Sequence, residues 1–323
     1  TAVAPAVAMA AVRSGVAQEE IKDWNKYRES LKKRLGLDNK LIRTLTARAK
    51  RNPKKVVFAE AEHYKILKAA QQVKDDGIAE PILLGRRKKI EALIEEFSIE
   101  FDDICIIDPK EVAQEKKRHE FGDLFWEKRK RKGLTQFEAR KLMRERNYFG
   151  SMMVETGEAD ALISGISRNY RSTIKPALEV IGKEDGVNKV VGMYIMRTKK
   201  GTLFLADTTI NLNPTAEEIA EMSVMIAKTV KQFRIKPRLA LLSFSNFGST
   251  RTNASAKMSK AAEIIRKEHP NLVVDGEIQA DFALDAEKTE RIFPFSPLAE
   301  ESANALIFPN LESGNLAYKL LQE

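Results

Sequence analysis

From Lys55 onward, short runs of aliphatic and β-branched residues alternate with stretches whose apolar residues recur at helical spacing. The runs are KVVFAE (55–60), PILLG (81–85), ICIID (104–108), ALIS (161–164), RLALLSFS (238–245), LVVDG (272–276) and NALIFPN (304–310). Between two of them, Ile90, Leu93, Ile94 and Phe97 mark one face of a helix. A continuous apolar run suits a strand buried on both faces, and a strand followed by a helix returns to a parallel neighbour. With 323 residues, 43% of them hydrophobic, the chain is long enough for two such cores. The fold class expected is therefore α/β: two α/β domains with mostly parallel sheets covered by helices. One antiparallel pair is expected within them, KVVGMYIMRT (189–198) with TLFLADTTI (202–210), turning through Lys199-Lys200-Gly201.

The remaining punctuation sets boundaries. The polar segment GKEDGVN (182–188), with two glycines, is the candidate domain boundary. TAVAPAVAMAAVRSGVA (1–17) reads as an amphipathic helix continuing a longer upstream sequence. In the charged stretch that follows, Trp24, Tyr27, Leu31, Leu35 and Leu37 are spaced as one helical face. Two charged helices are expected at Lys116–Arg131 and Thr135–Arg146. Another is expected after Asn213, which would cap it, with Pro214 in its first turn and Glu217 and Glu218 at the positive end of its dipole.

Composition removes several function classes. Cys105 is the single cysteine and the three histidines, His63, His119 and His269, lie far apart, so neither a disulfide framework nor a zinc module is expected. No glycine triplet of dinucleotide-binding spacing follows a strand, and no Walker-type loop occurs. No run reaches the about 20 apolar residues of a membrane span, and a cytoplasmic protein without membrane contact is expected. Lys+Arg exceed Asp+Glu by 55 to 46, yet both signs are interspersed, which speaks for a polyanionic small ligand and against a nucleic-acid partner. Asp281 and Asp285, four apart on an expected helix, read as a solvated edge.

Four loops at the carboxyl ends of expected strands are candidates for such a ligand. They contain Ser164, Gly165, Asn169 and Thr173 with Lys175; Asp207, Thr208 and Asn211; Ser243, Ser245, Ser249 and Thr250; and Asn310 through Asn315. Small hydroxyl, amide and glycine residues there can hydrogen-bond phosphate or carboxylate oxygens, ordinary turn and capping duties being the alternative for each. Arg129, within the basic run Lys128–Lys132, offers a planar fork that matches phosphate; a solvated helix face is the alternative for that run.

Taken together, YFGSMMVETGEADALISG, FLADTTINLNPTAEEIAE, LALLSFSNFGS, VDGEIQADFAL and IFPNLESGNLAYKL resemble the phosphate acetyl/butyryl transferases, collinearly from about Arg43 to Glu323. The segment before them resembles the tail of the catalytic part of bacterial NADP-dependent malic enzymes, in which a phosphotransacetylase-like domain follows the dehydrogenase. The resemblance implies a helical tail and linker over 1–42, one domain over 43–185 and another over 186–323. It also implies a ligand cleft between the two domains, as in isocitrate and isopropylmalate dehydrogenases, with the first domain completed by the C-terminus. It carries a phosphate-contacting arginine onto Arg129 and puts Lys175 where the family has a second arginine, exchanging a fork for a point charge. Where the family has a Ser-Gly-Ala turn followed by paired threonines, this chain reads Ser164-Gly165-Ile166 and then Asn169-Tyr170. The family residues that assist the coenzyme A thiol lie beyond Tyr318-Lys319, past Glu323.

No catalytic residue, metal or cofactor is therefore expected in this fragment. NADP and a divalent metal would belong to the preceding dehydrogenase. The expectation is a regulatory, oligomerising domain that senses acetyl-CoA, an acyl-CoA relative or an acyl phosphate through Arg129, Lys175, the four loops and Asn315. The alternative is an active phosphate acetyltransferase.

Overall fold

A computed structural model describes residues 3–17, 21, 23, 24, 27, 31, 40–101, 103–198 and 201–323. The chain divides into two compact units, one formed by Ile42–Gly186 and the other by Val187–Glu323 with the described residues up to Leu41. Helices α1 (Val3–Arg13) and α2 (Lys40–Arg51) precede the first strand.

The first unit holds strands β1 (Lys54–Phe58), β2 (Ala79–Leu84), β3 (Cys105–Ile107) and β4 (Ala161–Ile163). They lie in the order β3-β2-β1-β4, every pair parallel, with Val57 opposite both Ile82 and Leu162. Its helices are α3 (Tyr64–Asp75), α4 (Arg87–Glu96), α5 (Glu115–Arg129), α6 (Gln136–Leu142), α7 (Arg146–Glu155) and α8 (Tyr170–Val180). Because strand side chains alternate between faces, two cores form. Val57, Ile82 and Leu84 pack on Phe121 and Phe125 of α5 and Phe149 of α7. Phe58, Leu83 and Ile106 pack on Leu67 of α3 and Ile90 of α4. Helices α5 and α6 approach through Gly122, where a β-carbon would stand 2.6 Å from the Arg140 Cα.

The second unit holds β5 (Met193–Thr198), β6 (Gly201–Ala206), β7 (Arg238–Leu242), β8 (Val273–Ile278) and β9 (Ala305–Ile307) in the order β5-β6-β9-β7-β8. Only the edge pair β5–β6 is antiparallel, as the sequence leads one to expect. Its helices are α9 (Ala216–Gln232), α10 (Asn253–Glu268), α11 (Ala280–Ala283), α12 (Ala286–Ile292) and α13 (Leu311–Gln322). Phe204, Leu239, Leu241 and Ile307 face α9 and α10, while Leu205, Ala240, Leu242 and Leu306 face α11 and α13. The sheet is thus covered on both faces, with the carboxyl ends of β6, β9, β7 and β8 side by side at one edge.

Several local expectations are corrected. Helix α5 stops at Arg129, where a 3₁₀ turn over Lys130–Lys132 and left-handed Gly133 (φ 83°) end it. The stretch up to Arg146 contains the short α6, and α7 begins only at Arg146. Helix α9 is capped by Thr215, not Asn213: its hydroxyl accepts from the Glu218 N–H and the Glu218 carboxylate accepts from the Thr215 N–H, a reciprocal pair. Pro214 consequently lies outside the helix, and Asn213 accepts from Lys257 Nζ at 2.8 Å. Asp281 and Asp285 do not share a helix, since Asp285 caps α12 by accepting from the Lys288 N–H while Asp281 pairs with the Lys288 ammonium. The C-terminal helix α13 packs in the second unit, Tyr318 being buried with Leu205 and Phe308 and stacked on Tyr194 at 4.1 Å. Leu35 and Leu37 of the N-terminal stripe, and Lys199-Lys200 of the hairpin turn, lie outside the described residues.

Candidate functional site

Arg129 is the last residue of α5 and lines a hollow of about 720 Å³ whose walls include Phe125, Leu134, Leu142, Lys141 and Glu179. Its guanidinium Nη2 stands 3.5 Å from Glu179 Oε1, and the Lys175 ammonium stands 3.9 Å from the same oxygen. The two cations expected to share a ligand anion therefore converge on a carboxylate of the chain itself. The other Glu179 oxygen accepts from the Tyr148 hydroxyl at 2.5 Å, and burial together with that carboxylate raises the phenol above its ordinary range. Lys175 is 62% exposed on α8 and is not part of the wall of the hollow.

The loop after β4 shows the same pattern. In the order β3-β2-β1-β4 the strand order reverses between the parallel neighbours β1 and β4, and the crevice beyond their carboxyl ends is where such a sheet presents donors to an anion. Glu60, two residues past β1, fills it. Its Oε2 accepts from the N–H groups of Gly165 and Ile166 at 2.6 and 2.7 Å, and its Oε1 accepts from the Ser167 N–H at 3.0 Å and from the Ser167 hydroxyl. Burial works to raise this carboxyl, but the hydroxyl and three amides outweigh it and hold the pKa at about 2. Ser164 donates to Asn147 Oδ1 at 2.9 Å. Asn169 caps α8, accepting from the Ser172 N–H, and Thr173 donates back to the Asn169 carbonyl. The donors proposed here for a ligand are thus engaged within the fold, and Asn169 and Thr173 perform capping duties.

In the second unit the three strand-end loops are brought to one edge of the sheet. Buried Asp207 gathers the N–H groups of Gly192, Thr209, Ile210 and Asn211 at 2.8–3.2 Å. Thr208 donates to the Gly192 carbonyl, and Asn211 Nδ2 donates to the Val190 carbonyl at 2.8 Å. Asn315 on α13 donates to the Thr208 carbonyl, tying the loops after β6 and β9 together. Gly314 makes this approach possible, since a β-carbon there would stand 2.2 Å from the Asp207 carbonyl oxygen. After β7, Ser245 donates to buried Glu277 at 2.9 Å while its hydroxyl oxygen accepts from the Thr250 N–H. Ser249 accepts from the Asn246 N–H, and Ser243 accepts from the Ser245 N–H.

Within the basic run, Lys128 is paired with Glu155 and donates to the Val180 carbonyl, and Lys130 pairs with Glu127 beside the Trp126 ring. Sequence reasoning did not single out Glu60, Glu179 or Glu277. For Glu179 a signal existed, since it stands four residues after Lys175 on one helix. For Glu60 and Glu277 the only hint was a carboxylate at or just past a strand end. Among the described residues there is no group of three His, Cys, Asp or Glu able to hold a metal ion, and no helix long and apolar enough to cross a membrane.

These features define a doubly covered α/β protein whose hydroxyl- and amide-rich loops gather at the carboxyl ends of parallel strands. The chain matches the phosphate acetyl/butaryl transferase family over residues 40–323 and belongs to that family. It is 35% identical to a phosphate acetyltransferase of Bacillus subtilis, covering 83% of this chain and 81% of that protein. A phosphotransacetylase structure from Staphylococcus aureus superposes with a TM-score of 0.77 at 31% identity, over 87% of this chain and 85% of that one. An NADP-dependent malic enzyme of Haemophilus influenzae is 36% identical over 99% of this chain, which spans 42% of that relative's length.

Proposed function

We propose that the chain is the C-terminal, phosphotransacetylase-like part of an NADP-dependent malic enzyme, and that it binds acetyl-CoA or a related acyl carrier to regulate the preceding dehydrogenase. The observation that carries this reading is the extent of similarity. The malic enzyme alignment spans 99% of the chain, including residues before 40, whereas the family match begins at residue 40 and the Bacillus transferase covers 83%. The internal engagement of the strand-end donors supports a binding role over a turnover role. A transferase must stabilise a departing phosphate and an oxyanion with donors free to receive them. Here Glu60 takes the amides after β4, and Glu179 faces both Arg129 and Lys175.

In this reading acetyl-CoA displaces the Glu179 carboxylate from Arg129 and favours one arrangement of a cytoplasmic homo-oligomer. The differential affinity for two arrangements is the coupling to the dehydrogenase. NADP and a divalent metal serve the dehydrogenase.

The test is malate-dependent NADP reduction by the full-length polypeptide across an acetyl-CoA titration. Arg129→Gln and Lys175→Met are expected to raise the acetyl-CoA concentration for half-effect by about tenfold, the loss of one charge-assisted contact. An unshifted titration in both variants contradicts the placement. Phosphate-dependent acetyl transfer by the wild type that vanishes in Arg129→Gln contradicts the regulatory role.

A further inference from the structure

Lys257, in the second turn of α10, is a half-buried lysine without a counter-charge. Its ammonium donates to Asn213 Oδ1 at 2.8 Å and to the Pro309 carbonyl at 2.7 Å, and among the described residues no carboxylate pairs with it. In the same unit Lys189, Lys260 and Lys288 meet Glu218, Glu217 and Asp281. Burial alone acts on the Lys257 proton and pushes its pKa below the ordinary lysine range.

An ammonium has three N–H donors, whereas a neutral amine has two and a lone pair. Lys257 has two acceptors, both neutral. The neutral form therefore keeps both hydrogen bonds and leaves its lone pair without a partner, so the third proton departs without breaking a contact. At Lys260 the Glu217 carboxylate, 2.6 Å away, holds the charged form instead. A lysine stripped of its proton by burial is a nucleophile.

The two acceptors belong to different loops, Asn213 following β6 and Pro309 following β9, strands that pair in parallel. The Leu311 N–H donates to the Leu212 carbonyl at 3.1 Å and Asn315 donates to the Thr208 carbonyl at 3.2 Å, joining the same loops directly. Lys257 adds a tie from α10 to both.

We propose that Lys257 is an acyl-acceptor site, its amine attacking the activated carbonyl of an acyl phosphate or acyl thioester. The N–C bond forms as the C–O bond to phosphate or the C–S bond to the thiol breaks. The leaving group takes the electron pair, and one N–H proton passes to it through water. The product is an uncharged amide with a single N–H, so either Asn213 or Pro309 loses its donor and the loops after β6 and β9 loosen. The acyl donor is of the class named under the proposed function, but neither Arg129 nor an effect on the dehydrogenase is needed, so either reading fails without the other.

The intact protein is incubated near neutral pH with acetyl phosphate in one arm and acetyl-CoA in the other, and acetylation of each lysine is followed by peptide mass spectrometry. Lys260, on the same helix and 61% exposed, is the internal control, and exposure alone would favour it. Lys257 is expected to react severalfold faster than Lys260 in at least one arm, which names the donor. That lead is expected to shrink as pH rises into the ordinary lysine range, where both amines are neutral. Amide hydrogen exchange over 208–213 and 309–311 is expected to quicken in the acetylated protein. A Lys257 rate at or below that of Lys260 in both arms overturns the proposal, as does a lead that persists unchanged at high pH. Unchanged exchange in both segments after Lys257 is acetylated overturns the release of the loops.

Discussion

Glu179 is the residue on which the Arg129 hollow turns. It is held by a short hydrogen bond from Tyr148 and faces two cations, so its charge fills the place an entering anion would take. Glu179→Gln removes that competitor and keeps the shape. Acetyl-CoA binding measured by calorimetry is expected to tighten severalfold, because Arg129 no longer has to leave a carboxylate. In the same variant the Tyr148 phenol should ionise at lower pH than in the wild type, since one of the causes that raise it is the negative charge beside it. Ultraviolet difference titration reads this directly, and an unmoved phenol would mean that burial alone sets it.

Helix starts divide the elements into two kinds. Where the cap is a side chain of the chain, the element closes on itself, as α9 does through Thr215 and Glu218. Thr215→Ala opens that pair and is expected to cost about 1 kcal/mol, read as a lower urea midpoint. A change within a few tenths would show that the packing of Ile219, Met222, Ile226 and Val230 alone holds the first turns. The starts of α4, α5, α7 and α11 have no such cap. The amphipathic spacing that marks a helix says nothing about this difference, because it reports the buried stripe and not what meets the end.

At the scale of the whole molecule, acid is the condition that dissolves the carboxylate contacts together. Glu60, Glu62 and Glu217 each titrate near 2 in place of 4.5, Glu217 through its pairing with Lys260. A carboxyl whose folded pKa is depressed contributes stability that is present above its unfolded value and lost as pH falls toward its folded value. The urea midpoint is therefore expected to decline as pH drops from 4.5 to about 2, as the contacts of Glu60 and Glu62 beyond β1 and the Glu217–Lys260 pair are lost in that window. A midpoint that stays level there would show that these contacts do not stabilise the native state.

Much of this molecule was legible along the chain. KVVFAE, PILLG and ALIS became adjacent parallel strands, the 189–210 hairpin became the antiparallel edge, and five collinear motifs pointed to the family. Period, turn chemistry and motif spacing act over a few residues, so the sequence displays them openly. Which polar groups remain available to a ligand is another kind of question. Glu60 meets the amides of residues 165–167, more than a hundred positions away, only because β1 and β4 lie side by side. Lys257 meets both Asn213 and Pro309 only because β6 and β9 are neighbours in the sheet. The sequence by itself determined the elements, their order and the family; the tertiary structure alone decided which donors are closed by the chain's own carboxylates and which stay open, because burial and pairing belong to the packed fold.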